Sequence, residues 1–583
     1  MSHIGILKAL EENNIPIDYI TGTSSGALVG AFYAAGYSPK EIEAMVASDK
    51  FLRMAKGEIE EENQYFFKKP APSGSWLSIK IDKNFKWSNT LPTNLINPQL
   101  LDFEMLTKFT SVSSSANYNF DSLFVPFRCV ASDIENKEVV LFKDGHLNQA
   151  VRASMSFPFY LKPISVDGKL LFDGGLYNNF PTDVMYDEFF PDIIIGCNLS
   201  DTMAPPDGNN LLSQLKTMVV SRDDYSIICE NGILIDPKTK VRTFGFEMAS
   251  EAIEDGYNAT IAQMDLIKER ISRRTSASEM DSLRANYRSR MKPVIFDSIS
   301  IDGINSKQKS YVSKNIFRNR KEMDFVQLKK RYFNVLSDDK IDFIYPIGEI
   351  QNDGKYTLKL DVQKDNEIIA NFGGNFSSKN VNIGHIGLEY KHLGSKSITL
   401  GANSYFGKFY GSVNTHLRVD FPLGYPFYIE LEGMLNRWDY FRNFATFFEL
   451  SRPSYIVQNE NFVGINIASP VSNSGKILLN YRYGMKTNRY HQTEDFAPTD
   501  TADITEFEFH TIGIRYEIDN LNRKFWPSEG SRLSISGRYI DGWEELIPGN
   551  LNLSALALEK DHFWFQLGLE FQNYFKIAPA FKI

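Results

Sequence analysis

Cysteine is nearly absent: Cys129, Cys197 and Cys229 are the only three in 583 residues, far apart and in no C-x-x-C pair. That spacing implies neither a zinc site nor a disulfide framework. Basic runs are missing too, and a formal charge of −9 argues against a nucleic-acid partner. No apolar stretch approaches the roughly 18 residues of a membrane helix. Histidine is scarce as well, since residues 1–290 hold only His3 and His146. Neither a signal peptide nor an opening strand is visible at the start. Met1-Ser2-His3 runs straight into Gly5-Ile6-Leu7-Lys8-Ala9-Leu10, whose apolar positions repeat at helical spacing.

Aromatics, by contrast, are abundant (44 Phe, 28 Tyr), with a bias toward the C-terminus. The length suits three or four domains. Residues 1 to about 200 alternate helical and strand patterns, which predicts an α/β domain with a mostly parallel sheet. Within it, Ser38-Pro39-Lys40-Glu41 is a capping box with Pro at the first helical position. Residues 58–105 are less regular and carry Tyr65, Phe66, Phe67, Trp76, Phe85 and Trp87, fitting either core positions or an apolar mouth. Residues 205–290 read as helical and polar, the charges of 270–290 being a solvated face.

The character changes near 293. Residues 293–364 read as a compact β-α-α-β-β module. After 365 roughly ten segments alternate strictly, as in Leu479, Tyr481, Tyr483 and Met485 against Asn480, Arg482, Gly484 and Lys486. Ten-residue segments with one apolar and one polar face are the mark of a transmembrane β-barrel. A soluble β-sandwich would show shorter strands and fewer aromatics.

Chemistry concentrates at Gly22-Thr23-Ser24-Ser25-Gly26, where an apolar run meets a small-residue helix. This is a Gly-x-Ser-x-Gly elbow in its strand-to-helix setting, which exposes the Ser24 hydroxyl beside a helix N-terminus. A serine hydroxyl needs a base. His3 sits at the very start and His146 in the turn Lys143-Asp144-Gly145-His146, so neither follows a strand as a triad histidine would. Asp133 ends one strand, where it either serves chemistry or caps a loop. Asp173 ends another, after the hairpin Ile164–Phe172 with its Asp167-Gly168 turn, and leads into Gly174-Gly175. By elimination Asp173 is the candidate base.

These residues resemble the patatin-like phospholipases: Gly22–Gly26 matches the nucleophile motif and Asp173-Gly174-Gly175 the Asp-Gly-Gly motif, with Ala150–Pro158 and Asn178–Pro181 as further matching blocks. The resemblance, over residues 3–200, implies a multidomain protein led by an α/β acyl hydrolase domain. Ser24 and Asp173 would act as a dyad through an acyl-enzyme, supported by Gly22, Thr23, Ser25, Gly26, Gly174 and Gly175, with no cofactor or metal. The family also carries a glycine-rich oxyanion loop that this sequence lacks ahead of its first helix, so weak activity is expected. Residues 293–364 resemble a POTRA module, and those that follow, including Phe525–Gly530, resemble the barrel of outer-membrane transporters. Taken together, the likeness divides the chain into 1–290 (hydrolase core 3–200, helical extension 205–290), 293–364 and an outer-membrane β-barrel over 365–583, incomplete against sixteen strands. The implied partners are membrane phospholipid or another lipid ester, the outer-membrane bilayer and the barrel-assembly machinery. The alternative is a secretion or assembly transporter whose hydrolase passenger is impaired.

Overall fold

The computed structural model describes residues 1–69, 73–81, 94–199, 225–241, 244–377, 382–439, 455–493, 499–523, 526–549, 558–578 and 581–582. Phe85, Trp87, Phe525 and Ile583 lie outside them.

Helix α1 (Ser2–Glu12) precedes strand β1 (Ile20–Thr23), which turns at Ser24 into α2 (Ser25–Ala34). Small residues let α2 lie close on the sheet: a Cβ at Gly30 would stand 2.8 Å from Ile20 Cγ2 and 3.1 Å from a Phe127 ring carbon. Helices α3 (Pro39–Val46) and α4 (Asp49–Lys56) follow, and α3 opens with the capping box of Ser38 and Glu41. Next come β2 (Ser75–Ile81), α5 (Gln99–Ser115), β3 (Phe127–Asp133), β4 (Glu138–Phe142) and α6 (Leu147–Ser154). Strands β5 (Ile164–Val166) and β6 (Lys169–Asp173), helix α7 (Thr182–Phe189), and strands β7 (Ile195–Cys197) and β8 (Ile233–Ile235) complete the α/β region.

The register around β3 matters most. Strand β4 runs antiparallel along Cys129–Asp133. Strand β1 pairs in parallel with Phe127–Val130, and β6 pairs antiparallel with Ala131–Asp133. Because β4 overlaps both stretches, β1 and β6 share the opposite edge of β3, end to end. Thr23 faces Val130 and Asp173 faces Ala131, so the two strand ends abut.

The expectation of a mostly parallel sheet is corrected here. In residues 1–290 the parallel ladders among the described residues are β1–β3 and β7–β8. The tight turns between β3 and β4 and between β5 and β6 allow only antiparallel neighbours. Positive φ at Asp167 (51°) and Gly168 (80°) closes the second hairpin in the manner expected of Asp-Gly. Residues 225–290 are not purely helical either, since β8 precedes the helices Ala249–Ile261, Met264–Arg270 and Ala277–Arg288.

Strand β9 (Phe296–Asp302), helices Ser306–Phe317 and Phe325–Leu336, β10 (Ile341–Ile350) and β11 (Tyr356–Lys364) form a small α+β unit, its sheet ordered β10-β11-β9. Its core is shared. Leu100, Phe103 and Leu106 of α5 are buried together with Tyr332, Phe333, Ile344 and Leu358.

Ten long antiparallel strands follow: β12 (Ile368–Asn375), β13 (Ile383–Leu393), β14 (Ser397–Gly407), β15 (Tyr410–Phe421), β16 (Phe427–Asp439), β17 (Tyr455–Pro470), β18 (Gly475–Tyr490), β19 (Asp503–Asp519), β20 (Gly530–Ile547) and β21 (Leu558–Tyr574). Each pairs with its successor, and an eleventh strand is β2, antiparallel to β12. Register gives this sheet an inverted character. One line of paired residues crosses all eleven strands: Ile81, Ile368, Tyr390, Leu400, Leu417, Leu431, Ile465, Tyr481, Ile512, Tyr539 and Phe565. It carries no charge, and Leu400, Leu431, Ile512 and Phe565 are each at least half exposed. The line beside it runs Glu389, Gly401, His416, Glu432, Gly464, Arg482 and Thr511, on the opposite face.

The segment around β2 stitches the α/β region to this sheet. Tyr65 and Phe67 are buried with Tyr428 of β16 and Ala468 of β17. The Phe66 amide donates to Asn473 O at 2.8 Å, and Arg418 donates to Phe67 O at 2.9 Å. Lys68 Nζ is buried among Tyr311, Asp338 and Asp420, 2.9–3.0 Å from each. The core role for Tyr65–Phe67 is thus the observed one, and Trp76 is an exposed residue of β2.

Candidate active site

The abutting ends of β1 and β6 deliver Ser24 and Asp173 to one point. Ser24 Oγ donates a hydrogen bond of 2.6 Å to Asp173 Oδ2. Ser24 has φ 53° and ψ −118°, a sparsely populated conformation for a residue with a Cβ. Such strain at a strand-to-helix turn marks a nucleophile elbow. Gly22 permits it, because a Cβ there would lie 2.6 Å from the Gly26 carbonyl carbon and oxygen. Gly174 permits the other half, where a Cβ would meet Val130 O at 2.3 Å. Thr23 Oγ1 donates to Asn178 O at 2.9 Å, tying the elbow to the chain just beyond Asp173. Ser25 and Gly26 are the first residues of α2, so their amides and the positive end of the helix dipole lie beside the Ser24 hydroxyl.

Asp173 is buried, and its second oxygen accepts the Gly175 amide at 2.8 Å. Burial pushes its carboxyl up to about 6, an effect moderated by the hydrogen bonds from Ser24 and Gly175. At neutral pH it is therefore ionised and can take a proton, with a pKa close enough to the working range to give one back.

The histidines are placed differently from the expectation. His3 is not at a frayed start but within α1, its Nε2 3.5 Å from where a Gly26 Cβ would stand. Burial lowers its imidazole to about 3, so it is neutral. His146 precedes α6, packs edge-on against Tyr118, and is lowered by burial to about 4. The Ser24 hydroxyl bonds to Asp173 rather than to either. Asp133 accepts the amides of Glu135 and Asn136, capping the β3–β4 turn.

Four side chains with no role assigned from sequence, those of Ser154, Arg152, Asp102 and Ser156, also converge here. The Ser24 amide donates to Ser154 Oγ at 3.0 Å, at the end of α6. Fully buried Arg152 pairs with fully buried Asp102 of α5, Nε to Oδ1 at 2.6 Å, and donates to Ser156 Oγ and Lys162 O, each at 2.7 Å. A visible signal existed: an arginine between Ala150, Val151 and Ala153, small apolar residues that read as buried, has no inexpensive way to be buried without a partner.

A serine–carboxylate pair held at an elbow is an arrangement that nucleophilic acyl transfer can use. Residues 1–186 match the patatin-like phospholipase family, and a patatin-like phospholipase domain therefore forms the N-terminal part of the chain. Patatin-like phospholipase domain-containing protein 6 of Homo sapiens is 31% identical over 193 residues, covering 31% of this chain and 11% of that protein. Neuropathy target esterase sws of Drosophila melanogaster is 28% identical over 187 residues, covering 32% and 11%. Lysophospholipase NTE1 of Debaryomyces hansenii is 26% identical over 181 residues, covering 31% and 10%. The chain thus spans about a tenth of the length of these curated relatives. Among solved structures, BamA from Haemophilus ducreyi lacking POTRA domains 1–3 is similar at 14% identity and TM-score 0.33, covering 44% of this chain and 53% of that one. CdiB from Acinetobacter baumannii is similar at 11% identity and TM-score 0.26, covering 56% and 75%.

Proposed function

We propose that this protein is a lipid acyl hydrolase, of phospholipase A or lysophospholipase type, working through a Ser24–Asp173 dyad and held at the bacterial outer membrane by its own C-terminal sheet. The observation that carries the reading is the 2.6 Å hydrogen bond between a strained elbow serine and a buried carboxylate. Ser24 Oγ attacks the ester carbonyl carbon while Asp173 takes its proton. The tetrahedral intermediate collapses, the C–O bond to the alcohol breaks, and Asp173 returns the proton to the departing alkoxide. Water then attacks the acyl-enzyme with Asp173 as base, releasing the fatty acid and restoring the Ser24 hydroxyl.

Membrane residence is supported by the uncharged, exposed line of residues across the eleven strands and the polar line on the opposite face, the arrangement a lipid-facing barrel wall requires. Residues 293–364 act as a POTRA-like module between hydrolase and barrel. Anchoring rather than release is favoured by β2, which gives the hydrolase region a strand in the C-terminal sheet. The amides at the start of α2 offer oxyanion donors.

The test uses outer-membrane fractions from cells producing the chain, assayed for fatty-acid release from phosphatidylglycerol vesicles and lysophospholipid micelles. Ser24→Ala and Asp173→Asn should each lower release by about 10⁴-fold or more while both variants still fractionate with the outer membrane. Unchanged release in Ser24→Ala would overturn the reading.

A further inference from the structure

We propose that Arg152 and Asp102 form a positioning clamp that sets the separation of Ser24 from Asp173 and ties it to the 296–364 unit through helix α5. The inference rests on the dyad reading above and goes beyond it, because neither residue touches the reacting groups.

The clamp is built from one short stretch, Arg152 to Ser156, which holds both halves of the dyad. On the nucleophile side, Ser154 Oγ accepts the Ser24 amide at 3.0 Å, fixing the backbone whose dihedrals are strained. On the base side, Ser156 O accepts the Asp173 amide at 3.0 Å. Ser154 ends α6, and Ser156 lies just beyond it, its amide donating to Ala153 O at 3.1 Å and its Oγ to Arg152 O at 2.9 Å. The Arg152 side chain adds a further constraint. Its guanidinium donates to Ser156 Oγ and to Lys162 O, closing the loop that leads into β5 and β6, and so into Asp173. A guanidinium presents its donors in a rigid planar fork, so fixing one edge fixes the others.

Asp102 fixes that edge. Both side chains are fully buried, and among the described residues Asp102 Oδ2 has no hydrogen-bond partner and the carboxylate answers to Arg152 alone. Asp102 belongs to α5, whose Leu100, Phe103 and Leu106 lie in one core with Tyr332 and Phe333 of the 296–364 unit. On the other flank, Asn148 of α6 donates to Pro346 O of β10 at 3.3 Å. Both helices that carry the clamp are therefore seated on that unit. A buried ion pair is poor evidence of stability, and two apolar residues of similar volume often replace one without loss of fold. Such a replacement separates position from folding here.

Asp102→Leu with Arg152→Met in the full chain is the decisive variant, with Arg152→Lys beside it. The double variant should reach the outer membrane and resist trypsin as the parent does. Its kcat for a micellar monoester should fall at least about 30-fold with KM within about twofold, and Arg152→Lys should be intermediate. The Ser24 Oγ–Asp173 Oδ2 separation in its crystal or cryo-EM structure should open beyond hydrogen-bonding distance. A double variant with parental kcat, or with the 2.6 Å bond intact, overturns the clamp. A parent chain with no Ser24-dependent turnover instead overturns the functional reading, and the separation in the variant structure still decides the clamp.

Discussion

Residues 20–186 and residues 368–574 use the same amino acids in opposite ways. In the α/β region Ala27, Leu28, Ala31 and Phe127 are buried, and the buried charged side chains Arg152 and Asp102 answer each other. In the eleven-stranded sheet Leu400, Leu417, Leu431 and Ile512 of the crossing line are exposed, while Asn371, His385, Asn466 and Asn480 are enclosed. The first pattern is what water selects. The second would be costly in water, where monomeric proteins rarely expose contiguous apolar patches beyond a few hundred Å². Under the proposed function, one chain meets two solvents, and the candidate catalytic pair belongs to the region whose apolar side chains are buried.

The sharpest challenge to the α/β half is Gly22→Ala. Its Cβ would fall 2.6 Å from the Gly26 carbonyl, so strand end and helix start must separate and Ser24 must move. Displacements of about 1 Å cost about 10²-fold. Fatty-acid release by this variant should fall by about that factor, with membrane insertion unchanged. The sheet half is tested by Leu431→Arg against its neighbour Glu432→Gln. If Leu431 faces hydrocarbon near the bilayer midplane, arginine costs about 2–4 kcal/mol in unfolding from lipid bilayers. Glu432→Gln keeps an oxygen to accept from Arg482 Nε and loses only the charge of that ion pair, so it should cost about 1 kcal/mol or less. Equal effects would erase the proposed difference between the faces.

The smallest expected effect is pH dependence. Burial lifts the carboxyls of Asp173 and Asp102 to about 6, above the usual value near 3.9. Activity requires ionised Asp173, so kcat/KM should fall roughly tenfold per pH unit below about 6. Stability moves the other way. The folded state holds these protons more tightly than the unfolded chain does. Their contribution is therefore full below the unfolded pKa and is lost as pH rises through about 6. Thermal unfolding between pH 4 and 7 should show this slope, and Asp173→Asn should flatten it.

Much of this was readable from residue order because the signals were local. The Gly22–Gly26 elbow, the Asp167-Gly168 hairpin, the Ser38 capping box and the strand alternation after residue 365 each lie within one stretch of chain. Three features were not readable. The antiparallel placement of β6 depends on which edge of β3 is free. The burial of His3 depends on α1 packing against the elbow. The union of β2 with β12 needs a partner almost three hundred residues away. Phe66 and Phe67 signalled burial, but nothing near them said against what. Arg152 was the exception: its misfit among small apolar neighbours was local, and only the partner was remote.

Strand β2 also has a bearing on how the chain comes together. Ile81 must meet Ile368 before the edge of the sheet is capped, and about 290 residues separate them. The entropic cost of so long a closure grows only with the logarithm of its length, but the search for it is slow. Everything between the two residues, Asp173 included, belongs to the loop that must be closed, whereas Ser24 lies outside it. A finished sheet edge therefore requires both the α/β region, which carries β2 between α4 and α5, and the C-terminal sheet, which begins with β12.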